Sequence, residues 1–305
     1  MGEIRIGISG WRYAPWRGIF YPAGLPEERE LAFASRAVNS IEINGSFYAL
    51  QSPARYTNWR EDAPKGFVFA VKAPRYITHI RRLREIEQPL ANFFASGLLQ
   101  LGDKLGPVLW QFPPSMKFDA GIFGHFLDLL PRTINAARDC ASHCSERLKK
   151  AGYQDSAGRG ALRHAVEIRN ESFLCDEFVH LLRDHEVALV IADSAGKWPY
   201  VEDLTSDFVY LRLHGDKALY ASGYSEQALA RWENRIRTWS AGRQPGDAQV
   251  LDAHRPRPCK SRDIYCYFDN DEKVRAPFDA RRLLERLDLT RDLKTAPGVL
   301  QGIPP

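Results

Sequence analysis

The sequence predicts a single (β/α)8 barrel of the TIM type. Three observations carry that prediction. Eight short apolar runs, rich in β-branched residues, recur along the 305 residues. Helical patterns fill most of the gaps between them, and most runs end in a polar or charged residue. Near-continuous apolar runs suit strands covered on both faces, as in a parallel sheet. Strand–helix alternation over this length is the size of one such barrel. A doubly wound open sheet is the competing arrangement. Against it, GISGWRY after the first run has Gly7 and Gly10 but lacks the third glycine of a dinucleotide fingerprint.

The first run, IRIGIS (4–9), leads into Ser9-Gly10-Trp11. The second, VNSIEIN (38–44), is followed by Ser52-Pro53, a capping hydroxyl before a proline suited to the first helical position. After the third, FVFAVK (67–72), residues 85–105 read as one long helix with Leu90, Phe93, Phe94, Leu98 and Leu101 on its apolar face. After PVLWQF (107–112), Asp119 is placed to cap GIFGHFLDLL. After AVEIR (165–169), Ser172 precedes the helical FLCDEFVHLLRDH. VALVIAD (187–193) and FVYLRLH (208–214) are the sixth and seventh runs, and Ser225 precedes EQALARWENRIRTW. IYCYFD (264–269) is the eighth, and Ala276-Pro277 opens the last helix. The barrel core thus spans about 4–288 of one domain covering 1–305. Two polar stretches without a clean period, about 133–163 and 241–262, read as inserted loops, and the tail from about 289 to 305 as poorly ordered.

Composition limits the class of protein. With 44% hydrophobic residues the chain can bury a large core, and no apolar run approaches membrane-span length. The start, MGEIRIGISG, has no basic region followed by an apolar stretch, so no secretory signal is expected. Five cysteines, an odd number, give no disulfide framework. These features point to a cytoplasmic protein with reduced thiols. Cys140 and Cys144 lack a third cysteine at the cluster-binding spacing, where Arg147 stands, and are expected to be surface thiols; Cys175 and Cys266 are expected in the core. The net charge of +4 is mild, and the basic stretches HIRRLRE (79–85) and AHRPRPCKSR (253–262) read as solvated loops. There is no P-loop, nucleophile elbow or nucleotide-cofactor motif, so the cofactor is left unknown.

The strand ends locate a site. In SIEINGSFY (40–48), Glu42 and Asn44 share one parity while Ile41 and Ile43 share the other. Side chains of a parallel barrel alternate between lumen and helix layer, and the C-terminal ends of its strands form the active face. The apolar run turns polar where it opens into the mouth. Lys72 ends the third run, Gln111 the fourth before Phe112-Pro113-Pro114, and Asp193 the sixth. The pairs Glu167 and Arg169, then Arg212 and His214, repeat the period of two, and the eighth run carries Tyr267 and Asp269 before Asn270. Buried charges need partners, so Glu42, Lys72, Glu167, Arg169, Arg212, His214 and Asp269 are expected to converge on one cavity.

The stretches GISGWRYAPWRGIFYP, VNSIEINGSFY, FVFAVKAPRYITH, LGDKLGPVLWQFPPS, HAVEIRNESF, FVYLRLHG and CYFDND resemble the DUF72 (YecE-like) proteins, a family of TIM-barrel fold with unsettled function. The resemblance runs from residue 6 to about 288. It implies the barrel and a polar pocket at Trp11, Glu42, Asn44, Tyr48, Lys72, Gln111, Glu167, Arg169, Arg212, His214 and Asn270, without implying a reaction. Phe173 stands where that family usually has Trp, and Asp269 where it usually has Asn, which adds an acid to the pocket.

Three chemistries compete for that pocket. The favoured one is a metal-free enzyme site for an anionic small molecule. Lys72, Arg169 and Arg212 clamp its phosphate or carboxylate, Glu42 and Glu167 serve as general acid and base or hold the arginines in place, His214 is a further proton carrier, and Trp11, Trp16, Tyr48 and Phe112 offer stacking faces. The second is a divalent-metal hydrolase or nuclease using Glu42, Glu167, Asp193, His214 and Asp269; two arginines and a lysine in the same mouth oppose it electrostatically. The third is a non-catalytic binder of nucleic-acid phosphate through the basic loops. No membrane partner is expected, and the sequence says nothing of oligomeric state.

Overall fold

Eight parallel strands pair in chain order and β8 pairs back to β1, so the sheet closes into a barrel. The strands are β1 (Ile4–Ser9), β2 (Ser40–Ile43), β3 (Val68–Lys72), β4 (Leu105–Gln111), β5 (His164–Glu167), β6 (Ala188–Asp193), β7 (Phe208–Leu213) and β8 (Asp263–Phe268). All eight expected runs are strands. The computed structural model describes residues 1–150, 160–220, 222–252, 258–270 and 274–298. Among them no helix is long and apolar enough to cross a membrane.

Side-chain volume explains the closure. The lumen is filled by Phe208 and Tyr210 from β7 and Tyr265 and Tyr267 from β8, set against Ala70 from β3, Ala165 from β5 and Ala188 and Ala192 from β6. Large residues facing small ones fill the lumen without voids, which makes it a packed core and not a pore. The Tyr267 hydroxyl lies 2.8 Å from Ser40 Oγ across the barrel, so the buried phenol is satisfied. The opposite parity (Ile6, Ile8, Ile41, Ile43, Val108, Trp110, Leu211 and Leu213) packs on the helices.

The caps act as expected at several helices. Ser52 Oγ accepts from the Arg55 N–H at the start of Pro53–Asp62, Asp119 Oδ1 from Ile122 before Ala120–Leu129, and Ser225 Oγ from Ala228 before Glu226–Ser240. Ser172 is not a cap: its Oγ accepts from the Phe118 N–H, and Cys175 stands before the helix Asp176–Asp184.

Other expectations are corrected. Residues 85–105 do not form one helix. Glu87–Ala95 ends before Gly97, whose φ of 112° only glycine adopts without strain, and a 3-10 helix Leu98–Lys104 follows. A Cβ at Gly97 would lie 2.5 Å from Pro53 Cα, so the break also lets the helix Pro53–Asp62 approach. The stretch 133–163 is not simply loop: Thr133 caps the helix Ile134–Ser142, which packs on Glu87–Ala95, and Glu146–Lys150 follows. Within it, Cys144 is buried and not a surface thiol, whereas Cys266 is in the core as expected and Cys175 is only part-buried. Residues 151–159 of that stretch, 253–257 of the second basic cluster and 299–305 of the tail lie outside the described residues.

The basic stretch at 79–85 is also more than a solvated loop. It begins in the last turn of a π-helix, Tyr76–Ile80, and holds Arg82, Leu83 and Glu85 at φ of 49°, 65° and 50°. Leu83 is buried, so a hydrophobic anchor holds this strained turn beside the barrel mouth.

Candidate functional site

Register builds the floor of the mouth. Gly10 N–H donates to the Glu42 carbonyl, and β1 pairs with β2 so that Ser9 lies opposite Glu42. Ser9 Oγ donates to Glu42 Oε1 at 2.9 Å, and the Tyr210 hydroxyl donates to Oε2 at 2.7 Å. Arg212 reaches the same carboxylate from β7, Nε to Oε2 at 3.1 Å and Nη2 to Oε1 at 3.0 Å. This fork-on-fork geometry is the strongest way to hold an arginine on a carboxylate.

Arg212 is the hub. Its Nη1 donates to Glu167 Oε2 at 2.7 Å and its Nη2 to Asp269 Oδ2 at 2.7 Å. Glu42, Glu167 and Arg212 are fully buried, and Asp269 is part-buried. Burial opposes the charge on Arg212, but Asp269, Glu42 and Glu167 overcome it and raise its pKa well above the ordinary value. Burial likewise pushes Glu167 and Asp269 up. Arg169 and Arg212 overcome this at Glu167, and Arg212 with His214 at Asp269, so both carboxyls sit well below the usual range.

A second layer faces outward. Arg169 Nε donates to Glu167 Oε1 at 2.8 Å, so one carboxylate sits between two guanidiniums that would otherwise repel. Arg169 lies with Cζ 4.8 Å from the Trp198 ring centroid and reaches the Tyr220 hydroxyl at 3.5 Å. Beside Arg169 and Trp198 a cleft of about 370 Å3 opens, which Asn170 and Lys197 also line. Lys72 holds its ammonium 4.3 Å from the Phe47 ring centroid. Burial, then Arg212, lowers its pKa to about 8. Phe47 also meets His79 edge-on at 5.1 Å, and burial followed by Lys72 and Arg169 lowers that imidazole to about 4.

His214 forms part of the floor. It is fully buried, and its Nδ1 lies 3.1 Å from Asp269 Oδ2. The ring does not aim its N–H along that line, so neither ring nitrogen completes a hydrogen bond. Asn44 Oδ1 is enclosed without a donor in the same region of the strand ends.

Several expected residues stand elsewhere. Trp11 packs edge-on against Trp59 at 5.3 Å, in the helix layer, and offers no stacking face to the mouth. Phe112, of opposite parity to Gln111, is buried among Phe123, Phe126 and Phe173, and Trp16 is fully buried against Tyr13, Phe20 and Tyr21. Asn270 turns away: its Nδ2 donates to Asp279 Oδ2 of the helix Ala276–Arg286. Asp193 has the outer parity of β6 and accepts from the Tyr224 hydroxyl at 3.2 Å. Tyr48 is 71% exposed at the rim, edge-on to Phe47. Gln111 is buried beside Glu167 in the β4–β5 register. The open cavity expected to be lined by Glu42, Glu167, Arg212 and His214 is filled by those side chains, all of them buried.

This changes the charge count. Arg212, Arg169 and Lys72 balance Glu42, Glu167 and Asp269 when His214 is neutral, and Arg212 is wholly engaged with carboxylates. Of the carboxylates expected to gather a divalent metal, Glu42, Glu167 and Asp269 are gathered by Arg212 instead, and Asp193 is held apart by Tyr224. Among the described residues no group of three or more His, Cys, Asp or Glu side chains is arranged to hold a metal ion. Ser9, Phe47, Trp198, Tyr210 and Tyr220 were not among the expected site residues. Tyr210 had a signal, since it lies two before Arg212 on the same strand face, whereas Trp198 and Tyr220 lie in loops without period.

The site can be compared with known proteins. The chain is 28% identical over 199 residues to the UPF0759 protein YecE of Escherichia coli K12, covering 65% of this chain and 68% of that one. It is 29% identical over 116 residues to the UPF0759 protein YunF of Bacillus subtilis, covering 36% and 40% respectively. The crystal structure of a DUF72 family protein from Thermotoga maritima superposes with a TM-score of 0.69 at 22% identity, covering 94% of this chain and 99% of that one. One from Enterococcus faecalis gives 0.64 at 16% identity, over 95% and 99%. These two likenesses concern the fold alone. Residues 5–301 match the family described as Protein of unknown function DUF72, and the chain, nearly from end to end, belongs to it.

Proposed function

We propose that the barrel mouth is an enzyme site for a small molecule carrying a phosphate or carboxylate, with Arg169 and Lys72 as its cationic partners. One observation carries this reading. Lys72 is 8% exposed, yet among the described residues no carboxylate lies within 4 Å of its ammonium and no hydrogen-bond acceptor is supplied to it. A largely buried cation whose charge is offset only at longer range by Glu167, Glu42 and Asp269 is costly, and an anionic ligand relieves that cost.

Arg212 has a different part from the ligand clamp the sequence predicts, and of the two roles open to Glu42 and Glu167 the second, holding the arginines, is the better supported. Arg212 has its guanidinium spent on carboxylates, so it supports the site and does not clamp the ligand. Glu167, held ionised between two arginines, is a poor proton carrier at neutral pH. Lys72, with its pKa lowered to about 8, exchanges a proton near neutral pH more readily than Glu167 and is the better general acid or base of the two. Glu42 and Glu167 position the arginines. A metal-dependent hydrolase is less well supported, because Arg212 stands among the carboxylates such an ion needs.

Calorimetry with inorganic phosphate, phosphoglycolate and simple carboxylates tests the reading. Arg169→Met should fold, since Glu167 keeps Arg212. It should weaken binding of the best anion by roughly 10–100-fold, the worth of a charge-assisted hydrogen bond. Equal affinity in parent and variant, or binding of neutral compounds only, contradicts the proposal. A second reading, binding of a nucleic-acid backbone, is favoured by the cleft of about 380 Å3 lined by Arg82, Arg84 and Lys117. It requires a steep fall of affinity for single-stranded oligonucleotides with salt, and loss of that affinity in Arg82→Met.

A further inference from the structure

We propose that Lys72 is an imine-forming lysine, and that the ligand of the mouth is an aldehyde or 2-oxo compound whose anionic group lies on Arg169. This rests on the anion-site reading and names the substrate class for it. The contrast with Lys104 makes the argument. Both lysines are 8% exposed. Lys104 Nζ donates to the carbonyls of Arg60 and Ala63, each at 2.6 Å, so it has an evident structural task at the end of the helix Pro53–Asp62. Lys72 Nζ has no such acceptor among the described residues and rests on the face of Phe47.

The neighbours of Lys72 act together. The carboxylates nearest in the lumen are held by Arg212 and Arg169, so none is left to lock the amine as an ion pair. Phe47 and the barrel wall exclude water from its stem. Arg212 behind it disfavours a second cation, and His79 meets Phe47 edge-on. An amine that loses its proton readily, largely buried and resting on an aromatic ring, is what addition to a carbonyl requires.

The step balances without a co-reactant. The unprotonated amine of Lys72 adds to the carbonyl carbon, and a proton moves from nitrogen to the former carbonyl oxygen to give a carbinolamine. That oxygen then leaves as water with a second proton, and a C=N bond replaces C=O. Nothing is oxidised or reduced. The carboxylate or phosphate of the compound is neutralised by Arg169, which fixes the carbonyl near Lys72.

The experiment is reductive trapping on the full chain. The protein is treated at pH 8 with glyoxylate and cyanoborohydride, and labelled lysines are located by peptide mass spectrometry. Lys72 should be labelled at least tenfold faster than Lys65 and Lys197, although both of those are exposed. Inorganic phosphate should slow it. Lys72→Arg, which keeps the charge but has no amine to form an imine, should abolish the fast label. Labelling of Lys72 no faster than of Lys65 and Lys197 overturns the inference. If phosphate binds at Arg169 but Lys72 stays unlabelled, the imine idea fails and the anion site stands. If propionaldehyde labels Lys72 as fast as glyoxylate does, and phosphate does not protect it, the amine is reactive and the anion site is wrong.

Discussion

Replacing Arg212 with methionine is expected to lower the stability of the barrel by about 3–5 kcal/mol, the cost of removing one partner from a buried ion set. Three carboxylates from different strands, Glu42, Glu167 and Asp269, end on this one guanidinium. Glu167 keeps Arg169, and Glu42 keeps the Ser9 and Tyr210 hydroxyls, but neutral donors do not offset buried charge fully. Chemical denaturation should show a lower midpoint with an unchanged slope. Adding Glu42→Gln to the variant should recover part of the loss, because one stranded charge becomes neutral, and the non-additivity would measure the coupling. If Arg212→Met is as stable as the parent and only ligand binding suffers, then Arg212 is a ligand clamp after all.

Acid should unfold the protein through the same network. Glu167 and Asp269 have pKa values depressed below their ordinary 4.5 and 3.8, because Arg169, Arg212 and His214 outweigh the effect of burial. As pH falls, the unfolded chain therefore takes up protons before the folded one. The stability these groups contribute is present in full above about pH 5 and drains away below it. Lys72 acts in the opposite range. Its pKa is lowered from 10.5 to about 8, so the unfolded chain holds the proton longer between those values and Lys72 adds stability as pH rises through them. Melting temperatures from pH 3 to 9 should fall steeply below 5, and Glu167→Gln should flatten the acid limb while lowering the plateau. An acid limb unchanged in that variant would remove Glu167 from the account.

Much of this was legible in the sequence because parity is local. Two residues apart on a strand means the same face, so Glu42, Glu167, Arg212 and His214 could be placed in the lumen from SIEI, HAVE and FVYLRLH. What each would touch was not legible. Arg212 meets Glu42 only because the closure and stagger of the barrel bring β7 across from β2, and nothing in either segment states that. Read alone, two arginines and a lysine near one mouth look like spare positive charge. Register supplies an acid for each arginine and leaves Lys72 without one. Residues past the strand ends were placed less well. Trp11 and Asn270 follow their strands into loops whose direction parity does not set. Gly97 hid inside an apolar spacing that runs on through Leu98 and Leu101, because the following 3-10 turn still presents leucines to the core.

Where an anion binds tests the central claim most directly. Crystals soaked in tungstate would show the ion by its anomalous scattering. The account predicts density at the C-terminal mouth, within about 3–3.5 Å of the Arg169 guanidinium or the Lys72 ammonium, as a charge-assisted hydrogen bond requires. Density confined to the Arg82, Arg84 and Lys117 cleft, or to the groove of Arg5, Arg36 and Lys294 at the far end of the barrel, would contradict it.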